Sequence, residues 1–482
     1  MVTSNRILAE FCSATGIAQS TVLSALASDS TSPAAQRTSD TLPSRLHTTE
    51  LATGAVASTA VSAALLAETR GADPTSAPWV VDPRRVAASF RGDQLLRMDG
   101  EAFPGFAPLS GFFRTRDGWV RTHANYPHHR ARLLAALGLP ESTDRTALSA
   151  RLLQLDSLAA EAVIRDQQGI AAAVRTPGVW ADHPQAAAVA ALPLICVEEI
   201  GPAGRRTFAS TLPDPLRPAA EVRVLDLTRV IAGPVATRTL ALLGADVLRV
   251  DDPHLPELAH QYLDNGMGKR STLLDLRQSA DLGILDGLLE SADVVVTGYR
   301  PRALDAFGLD PRTLAQRRPG LVVATLDAWG PSGPWSGYRG FDSIVQAASG
   351  ISLLESLDGG QPGALPAQAL DHASGYLLAG AVLVALSRQT RDGGSWHVHA
   401  HLARTAQSLL RMSDRRAAET TSADAPGPAP GPTPDLADCL AEQQTPGGLF
   451  RYPLPALTTA EHPLDYPSVG GAWGVDEPRW LG

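Results

Sequence analysis

Asp371 opens the stretch DHASGYLLAGAVLVALSRQTR, whose apolar residues Leu377, Leu378, Ala381, Val382 and Leu386 repeat as on one face of a helix. A carboxylate just before an amphipathic helix has two roles open to it. The unpaired amides of the first turn favour its ionised form and steady a neighbouring oxyanion, which suits a nucleophile. The same position suits a plain helix cap, worth about 1 kcal/mol, and on this residue alone the cap is the commoner role. Other side chains raise similar pairs of readings. His397, His399 and His401 alternate in WHVHAH, so a strand turns all three to one face, as a metal site would require. Lys269 and Arg270, and Arg300 in YRP, are cations that singly are more often solvated surface charges.

These residues lie in a block that alternates short apolar strands with helices. VRVLDL (222–227), ADVLRVD (245–251), ADVVVTG (292–298) and GLVVATLD (320–327) read as strands, with a turn at Gly233-Pro234 and a helix after the first. That rhythm predicts a Rossmann-like parallel sheet with flanking helices, whose ligands sit beyond the carboxyl ends of the strands. The turn after the first strand lacks GxGxxG, which disfavours a nicotinamide-dependent dehydrogenase. Residues 111–200 differ: GFFRTRDGWVRTHA reads as a hairpin turning at Arg116-Asp117-Gly118, followed by the helix HHRARLLAALGL, a smaller α+β domain. Segments 28–45 and 421–434 are Ser/Thr/Pro- and Pro/Gly-rich connectors.

The composition narrows the field. With 482 residues, more than one domain is expected, and 44% hydrophobic against 19% charged residues is a globular balance. A net charge of -9 argues against nucleic acid as partner. Cys12, Cys196 and Cys439 form no CxxC pair, which suits a reducing compartment. The start MVTSNRILAEF has no secretion-signal pattern, and the most apolar stretches, such as 375–386, are short for a bilayer. The expectation is a cytoplasmic protein with no membrane partner.

The sequence also repeats itself. TELATGAVASTAVSAALLAETR (49–70) aligns without gaps on LDHASGYLLAGAVLVALSRQTR (370–391), matching Gly54 to Gly375, Val61 to Val382 and Thr69-Arg70 to Thr390-Arg391. Each copy carries a carboxylate, Glu50 or Asp371, four residues before its glycine.

VRVLDLTRVIAGPVATRTLALLGADVLRVDDP, GKRSTLLDLR, ADVVVTGYRPRALDAFGL, RPGLVVATLDAWGPSGP, GFDSIVQAASG and ALDHASGYLLAGAVLVALSRQTRDG follow one another in residues 221–410. In that order they are similar to the motifs of family III coenzyme A transferases, the superfamily of formyl-CoA transferases and acyl-CoA racemases. The resemblance implies the family III CoA-transferase fold and Asp371 as nucleophile. It implies exchange of CoA between an acyl-CoA thioester and a carboxylic acid, through an aspartyl anhydride and an enzyme-CoA thioester, with CoA as substrate and no metal. It places the cofactor against Arg229, Val230, Ile231 and Ala232, against Lys269 and Arg270, and against Tyr299, Arg300 and Pro301. Phe341 and Asp342 would support the site. Phe341 stands where related racemases carry a histidine base, which disfavours two-base racemisation. Asp252 replaces an arginine that in some members contacts CoA phosphate. The aligned family strand holds no metal at the histidines, and a homodimer is expected.

The order of parts departs from the family. Residues 1–44 read as an N-terminal segment and linker. Residues 45–210 resemble a partial copy with a degenerate active-site helix and the small domain. Residues 221–415 form the Rossmann-like catalytic domain, 416–434 a linker, and 435–482 a C-terminal return segment. The two incomplete copies together supply one set of parts, so the small domain is expected to fold over the Asp371 cleft, with Glu50 marking a vestigial second site. The glycine-rich loop of formate-type transferases has no clear counterpart; Gly105 and Gly111 substitute poorly. Two alternatives stay open: another acyl-CoA-processing enzyme (an isomerase or thioesterase-like member), or a catalytically silent CoA-binding scaffold. The donor acyl group and acceptor acid are not legible.

Overall fold

The structure, a computed structural model, describes residues 2–27, 40–73, 75–209, 212, 214–419 and 431–481, the last turns of the 402–419 helix as backbone only. Most of connectors 28–45 and 421–434 lies outside the described residues.

The four apolar runs form strands Arg223–Leu227, Asp246–Asp251, Val294–Thr297 and Val322–Asp327. Their cores are rich in Val and Leu and buried on both faces, as a parallel sheet between helices requires. Two further strands, Arg270–Leu273 and Ser395–His401, complete a parallel set. Numbered along the chain, the six parallel strands lie in the order 3-2-1-4-5-6, the doubly wound arrangement with its switch point between the first and fourth strands. At that switch Val224 pairs with Val294 and Leu227 with Thr297.

A seventh strand, Cys196–Gly201, closes the sheet antiparallel to Ser395–His401. It comes from the first block, so the boundary drawn near residue 210 crosses hydrogen-bonded strands. The C-terminal segment is interleaved too. Its hairpin, Leu440–Thr445 with Gly448–Pro453, pairs with Arg97–Met98, and Leu457–Thr459 pairs with Trp79–Val81. Trp473 Nε1 then donates to Asp251 at 2.9 Å and Trp480 Nε1 to the Leu288 carbonyl at 3.1 Å. The N-terminal segment is no simple linker: its helix Arg6–Thr15 buries Ile7, Leu8 and Phe11 in the main core.

The repeated segments become helices Thr48–Thr69 and Ala369–Asp392, and they pack on each other. Thr59 donates to the Tyr376 carbonyl at 2.7 Å. A Cβ on Gly380, the residue aligned with Thr59, would lie 3.3 Å from both the Ser58 carbonyl and Ser62 Oγ. The 369–392 helix is therefore not amphipathic as expected, but buried on almost every side. Its other flank meets the helix Ala232–Leu242, where a Cβ on Gly375 would sit 2.5 Å from the Ala232 carbonyl oxygen. At 22 and 24 residues both repeat helices are long and apolar enough to cross a bilayer, longer than the sequence suggested; 83% and 100% of their most apolar windows are buried within the protein.

The small domain has the expected hairpin, Gly111–Arg114 with Trp119–Thr122, joined by Ala171–Ala173 and covered by helices that include Pro127–Leu137. Its sheet rests on the helix Asp342–Ser349, and Arg175 N donates to the Ala347 carbonyl at 3.1 Å.

Candidate active site

The loops after the first, fourth and fifth parallel strands, the first turn of the 369–392 helix and the helix Pro127–Leu137 enclose one cavity of about 410 Å³, a volume suited to a small-molecule ligand. Asp371, Arg229, Val230, Ala232, Tyr299, Arg300, Pro301 and Phe341 all line it. The small domain contributes Tyr126, His128, His129 and Arg132. It therefore stands over the Asp371 cleft of its own chain.

Asp371 is the third residue of its helix, inside the first turn, and does not cap it. Asp342 does: its Oδ2 accepts from Leu370 N at 2.8 Å and Asp371 N at 3.0 Å. Gln346 holds the other oxygen through its amide, and its own Oε1 accepts from Leu365 N at 2.9 Å. The amides expected to stabilise an ionised Asp371 are thus occupied by its neighbour. Burial, and then the charge of Asp342, push the Asp371 carboxyl well above the ordinary carboxylate range. Burial also raises Asp342, to about 6, against the pull of Gln346 and the two backbone donors.

Val230 has φ +72°, a left-handed conformation that costs a β-branched residue roughly 1–2 kcal/mol. Glu257 accepts from its N–H at 3.2 Å and Asn265 donates to its carbonyl at 3.0 Å, fixing the strained turn. Glu257 also pairs with Arg249 at 2.8 Å and Arg229 at 3.5 Å, and accepts from the Tyr126 hydroxyl. Burial opposes its charge, yet the two guanidiniums hold it down at about 2.

Four guanidiniums, Arg132, Arg229, Arg300 and Arg339, reach the cavity wall. Burial and repulsion from Arg132 and Arg300 push Arg339 down to about 10. None of Arg132, Arg300 and Arg339 has a carboxylate partner among the described residues, so the mouth is electropositive in a chain that is acidic overall. Arg132 and Arg339 escape sequence reading because nothing local sets a pocket arginine apart from a surface one.

Three expected cofactor contacts lie elsewhere. Lys269 is buried behind the first turn, 2.9 Å from both Asp226 Oδ2 and the Pro234 carbonyl, where it braces the helix start. Arg270 pairs with Asp246 at 2.8 Å, on the outer parallel strand away from the cavity. Ile231 is the N-cap residue of the Ala232–Leu242 helix and turns inward, only 5% exposed. Asp252 faces Arg277 at 3.4 Å. Glu50 pairs with Arg6 at 3.2 Å and is not part of the cavity lining.

Phe341 carries no base, but histidines surround it. His123 stacks on its ring at 3.9 Å and His129 meets it edge-on at 5.7 Å. Burial holds these imidazoles neutral, at about 3 and about 2.

Residues 220–438 match the model of CoA-transferase family III. That match takes in the whole doubly wound segment of this chain. A probable fatty acyl-CoA transferase of Mycobacterium tuberculosis is 36% identical over 193 residues, covering 37% of this chain and 49% of its own. A succinate–glutarate CoA-transferase of Agrobacterium fabrum is 29% identical over 217 residues, 41% of this chain and 54% of its own. A formyl-CoA:oxalate CoA-transferase of Streptomyces coelicolor is 29% identical over 205 residues, 40% and 50% of the two chains. A crystal structure of the M. tuberculosis protein aligns at 35% identity with a TM-score of 0.40, over 42% of this chain and 59% of that one. The chain spans about half the length of the curated relatives it matches.

Proposed function

We propose that this protein is an acyl-CoA:carboxylate CoA transferase with Asp371 as its nucleophile. One juxtaposition carries the reading: the Asp371 carboxyl lies in the same cavity as Arg132, Arg229, Arg300 and Arg339. A CoA thioester needs both, cations for its phosphates and a nucleophile for its acyl carbon.

The chemistry runs as two exchanges. An Asp371 oxygen attacks the acyl carbonyl, and the C–S electron pair leaves as CoA thiolate, giving a mixed anhydride. The thiolate attacks the aspartyl carbonyl and expels the donor carboxylate, leaving an aspartyl-CoA thioester. The acceptor carboxylate attacks that thioester, displacing thiolate and forming a second anhydride. Thiolate then takes the acceptor acyl group and frees Asp371. No thioester energy is lost to hydrolysis provided water stays out, a task suited to the overlying small domain.

Proton abstraction from an acyl-CoA, as in a racemase or isomerase, fits less well. His123 and His129 beside Phe341 are held so far below neutrality that they make weak bases. Incubation with a panel of acyl-CoAs and carboxylates, followed by hydroxylamine trapping and mass spectrometry, tests the proposal. The expected result is CoA exchange with a hydroxamate at Asp371, both abolished in Asp371→Ala; full exchange by that variant ends the assignment.

A further inference from the structure

The strand Ser395–His401 sets His399 and His401 on one face, two residues apart. The parallel neighbour, Val322–Asp327, ends with Asp327 in register with His401 and Thr325 in register with His399. Asp327 Oδ2 lies 3.2 Å from His399 Nε2 and Oδ1 lies 2.9 Å from His401 Nδ1. One ligand atom from each residue falls within 4.8 Å of the other two. His397 shares the face but is engaged elsewhere, with Thr325 Oγ1 at 2.9 Å and Glu198 at 3.3 Å.

We propose that Asp327, His399 and His401 bind one divalent first-row transition-metal ion, of the zinc type, in the wall of the Asp371 cavity. Donors held about 2.0–2.2 Å from a tetrahedral ion stand roughly 3.3 Å apart, close to the separations found between the carboxylate and each imidazole. Two imidazoles and a carboxylate select zinc, cobalt or iron over magnesium or calcium, which prefer all-oxygen shells. The backbone gives the carboxylate an outer partner: Gly330 N donates to Asp327 Oδ1 at 2.6 Å, fixing its orientation. His401 is 4% exposed, so its ring is held by its surroundings. Asp327 itself lines the cavity, as does Leu402, the residue after His401, while neither imidazole does, so the ion would sit in the wall behind Asp327. The triad was missed in the sequence because its carboxylate comes from a neighbouring strand 72 residues from His399, and spacing within WHVHAH does not reveal it.

The competing arrangement is a hydrogen-bonded trio in which both rings donate to Asp327 and no ion binds. Full-length protein treated with a chelator and titrated with zinc chloride by calorimetry, and with cobalt chloride by visible absorption, separates the two. The proposal expects one equivalent of each metal per chain, with cobalt bands of a four- or five-coordinate site. His399→Ala, at a half-buried ring, and Asp327→Asn are expected to weaken that binding at least tenfold with an unchanged circular dichroism spectrum. Asp371→Asn is expected to retain the full equivalent, which makes the readout independent of the transferase proposal. Absence of a stoichiometric equivalent, or binding equal to the parent in both folded variants, overturns the site.

Discussion

The Asp371 carboxyl has little water around it and a second carboxyl at its back, and both raise the free energy of its ionised form. Nucleophilic attack needs that form, so the acid limb of kcat/KM for exchange is expected above the ordinary carboxylate range. In Asp342→Asn the amide oxygen still accepts from Leu370 N and Asp371 N, but the charge is gone. The limb should then move to lower pH; a variant that only loses rate, with an unmoved limb, assigns Asp342 a purely structural role. Stability carries the same imprint. Asp342 and Asp371 are raised in the folded state, so their contribution is present below about pH 4 and is lost as pH rises through their raised folded values, about 6 for Asp342. Asp371→Asn should therefore melt higher than the parent at pH 8, with the gap closing toward pH 4. Thermal melts across that range read it directly; a gap constant with pH would contradict the assigned shift.

At the scale of elements, the proposed nucleophile is placed by a helix that glycine lets approach its neighbours. Gly375 faces the Ala232 carbonyl so closely that even a methyl group must push the two helices apart. Gly375→Ala is expected to cost about 1–3 kcal/mol and to lower turnover more than acyl-CoA affinity, because Asp371 shifts one turn away from the change. Differential scanning calorimetry with steady-state kinetics checks both; wild-type values for both would show the contact is soft. The strands around this helix were legible because Val and Leu runs buried on both faces leave a plain signature. Strands Arg270–Leu273 and Cys196–Gly201 were not, since RSTL and CVEEIG are edge-like and polar and are recruited by their partners. Asp371 could be picked out by motif register, yet its protonation could not, because the carboxylate that takes its amides lies 29 residues earlier. Lys269 and Arg270 misled for a related reason: a cation after a turn looks the same whether it faces a phosphate or a buried aspartate.

For the whole molecule, residues from both blocks of one chain line a single cavity, with Arg132 and His129 on one side and Asp371 on the other. Mixing Arg132→Ala with Asp371→Ala at subsaturating acyl-CoA should accordingly add nothing to the activity of Arg132→Ala alone, since each chain depends on its own site. A gain over that variant on mixing would mean the small domain serves a partner's cleft instead. Arg132→Ala alone should raise KM for acyl-CoA about tenfold or more and flatten its dependence on ionic strength.

The antiparallel edge strand Cys196–Gly201 finds its partner, Ser395–His401, only after nearly two hundred further residues. During synthesis at about 5–20 residues per second, Ile195 and Val197 would wait roughly 10–40 s on the ribosome before that neighbour emerges. The amino-terminal half is thus born with an unsatisfied ladder, and a chaperone that masks it, or a slowed ribosome that prolongs the interval, should change the yield of native protein.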